Sequence, residues 1–356
     1  MLSTIHERPG VYSSYDASSI VAGGRANKVI GVAALAQNGE SVGTVVTVTG
    51  YAAGVAAFGE DQETPGMSTL LQLLFAGGAS TVLATAVGGT GALEDYQAAF
   101  ALLGAEESIQ IMVCDSADET VQQALRDSVQ EASANRRERI AVVGGDGDKA
   151  AELVARAEKL NSERVLLVGP DVLDSQGKVL PGVFGAAAVA AAIAVSHDPA
   201  VPLNGATLYG LSGLTEQYGD NDIDLLVRGG VTPLEVSAGI LSPVRGITTR
   251  TTTGGSADAT WREATTILIV DDVIPTIRTS LRSKFTRSKN TAQTRSAIRS
   301  QVIVELESKV RAEIIDSYGS VTVTPEESDP TVCLVEFEFV VAHGLNQIRL
   351  TAHITV

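Results

Sequence analysis

The stretch Gly145-Asp146-Gly147-Asp148-Lys149-Ala150 spells GxGxxA after the apolar run Ile140–Val143 and before a helical stretch, with Glu163 eighteen residues beyond Gly145. Glycines so placed turn the chain tightly and let backbone N–H groups approach a pyrophosphate at a helix N-terminus, while a downstream acid reaches the ribose. Asp146 and Asp148 argue against that chemistry, because they put two negative charges where the pyrophosphate would lie. The unit also falls mid-domain and not at a first strand. A tight turn with Asp148 near a helix N-terminus explains the residues better. A nucleotide-binding α/β enzyme using the Gly145–Gly147 loop is the alternative reading. Gly88-Gly89-Thr90-Gly91 is a weaker loop of the same kind.

Other chemistry-bearing residues lead less far. Asp220-Asn221-Asp222-Ile223-Asp224 opens like a calcium loop, but Leu225 stands where glycine is required and Val231 where the bidentate glutamate belongs. Helix capping by Asp220 or Asn221 is expected instead. The four histidines, His6, His197, His343 and His353, do not pair at ligand spacing, and Cys114 and Cys333 lie far apart outside any CxxC. No Walker A loop, HExxH helix, GxSxG elbow or kinase signature occurs. The expectation is therefore no catalytic residue, no metal and no cofactor. Between Val273 and Val304 lie Arg278, Arg282, Lys284, Arg287, Lys289, Arg295 and Arg299 with no acidic residue. A nucleic-acid partner is disfavoured, since Phe285 is the sole aromatic in that cluster and the chain carries a net charge of −16. An acidic protein surface is the expected partner.

The elements that position these groups follow from the pattern. At 356 residues with 44% apolar content the chain reads as two domains. Residues 1–240 hold 13 Lys/Arg against 29 Asp/Glu, whereas residues 241–356 hold 13 of each. An extended N-terminal arm is expected over residues 1–25. From 26 to 240, strands (Val29–Ala33, Val45–Thr49, Thr81–Val87, Ile109–Val113, Ile140–Val143, Val165–Val168) interleave with helices (Leu93–Leu103, Thr120–Ala134, Lys149–Leu160, Val183–Val195), which is an α/β domain on a largely parallel sheet. Residues 241–345 read as an α+β domain, with strands at Val244–Thr252 and Thr265–Val270, helices at Val273–Arg282 and Gln293–Ile315, then paired strands. Ile348, Leu350, Ala352, Ile354 and Val356 alternate with polar residues, the period of a half-buried strand over residues 346–356. Ordering each backbone residue costs about 1–2 kcal/mol, so such a strand needs a sheet to join, on its own subunit or on a neighbour. The opening residues lack a signal-peptide core and Gly185–Ser196 is too short to span a bilayer, so a soluble cytoplasmic chain without membrane insertion is expected.

A set of landmarks, in order along the chain, resembles the contractile phage tail sheath family: Pro9-Gly10-Val11-Tyr12, Phe75-Ala76-Gly77-Gly78-Ala79, Asp222–Gly230 running into Val231-Thr232-Pro233-Leu234, Val244-Arg245-Gly246-Ile247-Thr248-Thr249, Asp329-Pro330 and Gly344-Leu345-Asn346-Gln347-Ile348. The resemblance implies a structural subunit that polymerises with copies of itself around an inner tail tube and meets baseplate and terminator proteins. Contraction would proceed from a metastable extended lattice. It places the α/β domain outside and the C-terminal domain against the tube, with Arg278, Arg282, Lys284, Arg287 and Lys289 as tube contacts. Val11, Tyr12 and Tyr15 of one arm, and Ile348, Leu350, Ala352, Ile354 and Val356 of the other, would join sheets of neighbouring subunits. Assembly in the host bacterial cytoplasm and residence in the tail of a contractile particle follow from the same resemblance.

Overall fold

A computed structural model describes residues 27–38, 41–348 and 350–352. The strand–helix alternation of the first two-thirds becomes a doubly wound body. Its chain order is β1 (Val29–Leu35), β2 (Val46–Val48), α1 (Tyr51–Phe58), α2 (Met67–Ala76), β3 (Val82–Val87), α3 (Leu93–Ala105), β4 (Ile109–Cys114), α4 (Glu119–Ala134), β5 (Ile140–Gly144), α5 (Ala150–Leu160) and β6 (Val165–Gly169). A small sheet of β7 (Val172–Asp174), β8 (Val179–Leu180) and β9 (Leu211–Leu214) brackets α6 (Gly182–Val195). Next come α7 (Asp220–Arg228), β10 (Val231–Ser237) and β11 (Ile240–Pro243).

The main sheet has eight strands in the order β11-β10-β6-β5-β4-β1-β3-β2. Its inner pairs are parallel, while β2 and β11 join antiparallel at the two edges. Side chains alternate between two apolar layers. Ile30, Val32, Ile111, Val113, Val142 and Leu166 face α2 and α6, and Ala33, Met112, Ala141, Val143 and Leu167 face α3, α4 and α5. Burial on both faces is why these strands read as continuous apolar runs.

The alanine-rich run that is too short for a membrane is α6, a core helix in which all but Ala192 and Val195 are buried. Its small side chains allow backbone-close packing. A Cβ added at Gly144 would meet the Gly182 carbonyl carbon at 2.1 Å, so only glycine fits beneath the start of α6.

The C-terminal module begins with β12 (Thr252–Thr253) and β13 (Ser256–Ala257), continues through α8 (Ala264–Phe285) and α9 (Ala292–Arg311), and ends in the ribbon β14 (Ile315–Pro325) and β15 (Cys333–Val341). Ile269, Val273, Ile277, Val302, Leu306 and Ile315 form its own core. The α/β plus α+β expectation holds, with two local corrections. Thr265–Val270, expected as a strand for its β-branched residues, is the start of α8; buried Thr265, Ile269, Val273 and Ile277 recur every four residues, and packing overrides propensity. Val244–Thr252 is not a ladder strand apart from Thr252 and an isolated bridge at Ile247. Scattered bonds satisfy its backbone instead: Val244, Thr248 and Thr249 N–H donate to the carbonyls of Pro233, Arg262 and Val165, and Thr232 Oγ1 accepts from the Ile247 N–H and donates to its carbonyl. The expected boundary at 240/241 falls inside the antiparallel pair β10–β11.

Candidate assembly surfaces

The Gly145–Ala150 loop does stand at the carboxyl end of β5 before a helix, but its interior is taken. Asp148 accepts from Arg156 at 2.9 Å, and a Cβ at Gly145 would lie 2.3 Å from an Asp148 oxygen. Asp171, from the loop after β6, accepts from the Gly147 N–H and from the Gly182 N–H at the start of α6, both at 2.8 Å. A glycine N–H of the loop that would face a phosphate thus already holds the chain's own carboxylate. Burial raises the Asp171 carboxyl above its ordinary value, two backbone N–H bonds oppose that, and the charges of Asp146 and Asp148 add to it. The loops at β1 and β4 are closed similarly, since Asp115 accepts from the Leu35 N–H at 2.9 Å and from Tyr96 Oη at 2.5 Å. At α7 the expected cap is corrected: Gly219 is the N-cap, and Asp220 and Asp222 lie in the first turn, where the helix dipole favours them. No cluster of ligand residues able to hold a metal occurs among the described residues.

The basic run divides in two. Arg278 is half-buried and donates to Glu138 of the body at 2.6 Å. It belongs to a charged joint in which Arg164 grips Asp271 through two bonds of 2.8 and 3.0 Å, and Lys309 pairs with Asp272. Burial pushes the Glu138 carboxyl up, but the Arg278 bond and charge outweigh it and leave it below its ordinary value. Burial dominates at Asp271, which is raised despite Arg164. Arg282, Lys284, Arg287 and Lys289 are instead exposed around the turn between α8 and α9. Of these, Lys284 reaches Gln301 Oε1 at 2.6 Å. The joint residues Glu138, Arg164, Asp271 and Lys309 carried no signal in the sequence beyond two aspartates beside an apolar run.

The ribbon is open on both outer edges, for β14 and β15 pair only with each other among the described residues. Alternate β15 residues, Val335, Phe337, Phe339 and Val341, pack on the module core while Glu336 and Glu338 face outward. Beyond it the chain touches the body once more, where Asn204 Nδ2 donates to Asn346 Oδ1 at 2.8 Å. Ile348 is then 80% exposed and Leu350 91%, with Ala352 also exposed and no ladder formed among the described residues. Val11, Tyr12, Tyr15, Ile354 and Val356 lie outside the described residues.

A closed α/β body bearing a module with unpaired sheet edges has the build of an assembly subunit, since exposed edges are templates for further strands. Comparison with known families agrees. Residues 89–249 match the phage tail sheath protein central domain and residues 256–355 the phage tail sheath C-terminal domain. The chain belongs to the contractile tail sheath family. It is 33% identical over 227 residues to the tail sheath protein of Bacillus phage SP01, covering 62% of this chain and 38% of that protein. To the tail sheath protein of Mycobacterium phage Bxz1 it is 33% identical over 192 residues, covering 50% and 33%. The matched region thus spans between a third and two-fifths of these relatives' length. In fold it is similar to a chain of the anti-feeding prophage baseplate (TM-score 0.73, 15% identity, 99% and 100% of the two chains). It is also similar to the sheath tail protein from Desulfitobacterium hafniense (TM-score 0.69, 12% identity, 93% and 100%).

Proposed function

We propose that this chain is a structural subunit of a contractile tail sheath, polymerising with copies of itself around an inner tube and shortening from a metastable lattice, with no catalytic role. The observation that carries this reading is the ribbon β14–β15, open along both edges, next to a terminal segment whose apolar residues Ile348 and Leu350 stand in solvent. Strands supplied by neighbouring copies would complete the ribbon through main-chain hydrogen bonds. Val11, Tyr12 and Tyr15 at one end, and Ile348, Leu350, Ala352, Ile354 and Val356 at the other, are the residues proposed to supply them. The bodies could then rotate and repack while strands keep them linked, a switch between two packings.

The tube contact is proposed for Arg282, Lys284, Arg287 and Lys289 at the α8–α9 turn, with Arg278 holding the module to the body. Exposed ion pairs are worth about 0–1 kcal/mol each, which suits a surface that must release when the sheath shortens. Baseplate and terminator proteins as further partners, and assembly in a bacterial cytoplasm before residence in the finished particle, belong to the same proposal. The nucleotide-enzyme alternative is disfavoured by Asp148 and Asp171, which fill the loop; dinucleotide titrated calorimetrically into the chain is expected to give no heat.

Negative-stain microscopy of the purified chain is expected to show hollow striated tubes or rings, and deletion of residues 347–356 to leave folded monomers. Polymers unchanged by the deletion would sink the strand-exchange reading.

A further inference from the structure

Arg228 at the end of α7, Arg250 ahead of the β12–β13 turn and Arg262 just before α8 line one cavity of about 220 Å³, with Asp258 as the carboxylate among its lining residues. That is room for a carboxylate group and several waters, at roughly 30 Å³ per water. Each guanidinium offers five N–H donors in a fixed fork, and the acceptors nearby do not use them up. Arg262 Nε is buried without an acceptor, and one terminal nitrogen makes only a long 3.4 Å approach to the Val227 carbonyl. Arg250 spends Nε and one terminal nitrogen on the same Thr253 hydroxyl and reaches Glu163 at 3.4 Å with the other. Arg228 has Asp224 at 3.2 Å, both side chains being well exposed. Asp258 is already engaged by the Thr253 hydroxyl and the Thr260 N–H.

The wall behind these arginines is rigid. Asn161 Oδ1 accepts from the N–H groups of Thr251 and Thr252, and Asn161 Nδ2 donates to the Thr252 carbonyl. The Thr249 hydroxyl accepts from the Ser162 N–H and donates to its carbonyl, both at 3.0 Å. Donors held in place before a ligand arrives lose little entropy on binding it.

We propose that this pocket is an inter-subunit anion socket, in which Arg228, Arg250 and Arg262 receive a carboxylate side chain of a second copy of the chain. The choice of occupant rests on the sheath reading above. Planar guanidinium forks match carboxylates bidentately. Residues 1–240 carry 29 Asp/Glu against 13 Lys/Arg, so a neighbouring copy presents the required group on much of its surface. On so acidic a body, a cluster of under-used arginines attracts a like copy and fixes its register.

The full chain with Ala259, an exposed lining residue of the same cavity, replaced by photoreactive benzoylphenylalanine, mixed with unaltered ¹⁵N-labelled chain, assembled and irradiated, tests the socket directly. Light-to-heavy cross-links landing at or beside an Asp or Glu are expected; cross-links confined to single copies overturn the proposal. R250Q/R262Q is expected to raise the critical concentration for polymerisation about tenfold, the loss of one charged hydrogen bond or more, and R262K to recover only part of it. An unchanged critical concentration overturns the socket. Should R250Q/R262Q not fold, D224N at an exposed position frees Arg228 and is expected to lower the critical concentration; no change there counts equally against it. Inorganic phosphate at constant ionic strength that raises the melting temperature of unaltered chain but not of R262Q, with polymerisation unaffected, would make the occupant a free anion and overturn the carboxylate. An unaltered chain that never polymerises removes the sheath reading and this occupant together, whereas polymers without cross-links remove the socket alone.

Discussion

In the α/β body each inner strand lies between two others and between two helical layers, whereas in the C-terminal module β14 and β15 have only each other among the described residues. The body closes its polar groups internally as well, its loop carboxylates binding its own amides at Asp115 and Asp171. The module keeps four exposed cations around the α8–α9 turn and open strand edges along its ribbon. One part pairs its strands on both sides, and the other packs a core of its own but leaves its ribbon unpaired at the edges among the described residues. The charged joint of Arg164, Asp271, Arg278 and Glu138 lets the second part lean on the first.

That contrast can be broken most severely at Gly144. G144V would drive a side chain into the backbone at the start of α6, and a loss of about 3 kcal/mol or more is expected in urea unfolding; a loss below about 1 kcal/mol would mean the α6 contact is not a tight one. The joint comes next. R164Q strands Asp271, whose side chain is 12% exposed, and breaking a buried pair from one side costs about 3–5 kcal/mol. A loss confined to the module, read by hydrogen exchange in α8 and α9 with the body's protection intact, would sharpen the division between the two regions.

A pH series gives a smaller effect with a defined sign. Burial raises the Asp115 carboxyl above its ordinary value, partly countered by the Tyr96 and Leu35 bonds. The folded state therefore holds that proton more tightly than the unfolded state. The stability from this group is fully present below the ordinary carboxylate value and is lost as pH rises through the raised one. D115N should lack that decline, so its deficit relative to the unaltered chain should shrink with rising pH across the window. A parallel pair of curves would remove Asp115 as the source. The smallest expected change is in the quadruple variant R282Q/K284Q/R287Q/K289Q, within about 0.5 kcal/mol in stability but weaker and less salt-sensitive in tube binding.

The body is legible in the sequence because each strand is a short apolar run and each helix has its own period; the expected Leu93–Leu103, Thr120–Ala134 and Lys149–Leu160 lie within two residues of α3, α4 and α5. Residues 51–76 carried no secondary-structure expectation, and α1 and α2 form there because Phe58, Leu70, Leu71 and Leu74 bury in the apolar layer on one face of the sheet. The Thr-Thr-Ile-Leu-Ile run misled because β-branched residues favour strands until a packed face every four residues outweighs them. Spacing likewise could not tell Arg278 from Arg282, one turn apart, since which of them meets Glu138 is a tertiary fact. The arginine pocket draws on residues 228, 250 and 262 from three separate segments, and no local pattern unites them.

On the sheath reading, the Asn204–Asn346 bond bears on how load would pass between copies. Asn204 sits in a segment tied to the edge strand β11, through Gly205 N–H to the Pro243 carbonyl and Leu208 N–H to the Leu241 carbonyl. Traction on the terminal segment therefore reaches a mooring at residue 346 before it reaches Val341, the last residue of the ribbon. On the strand-exchange reading, part of a neighbour's pull would pass to the large sheet before it loads the two-stranded ribbon.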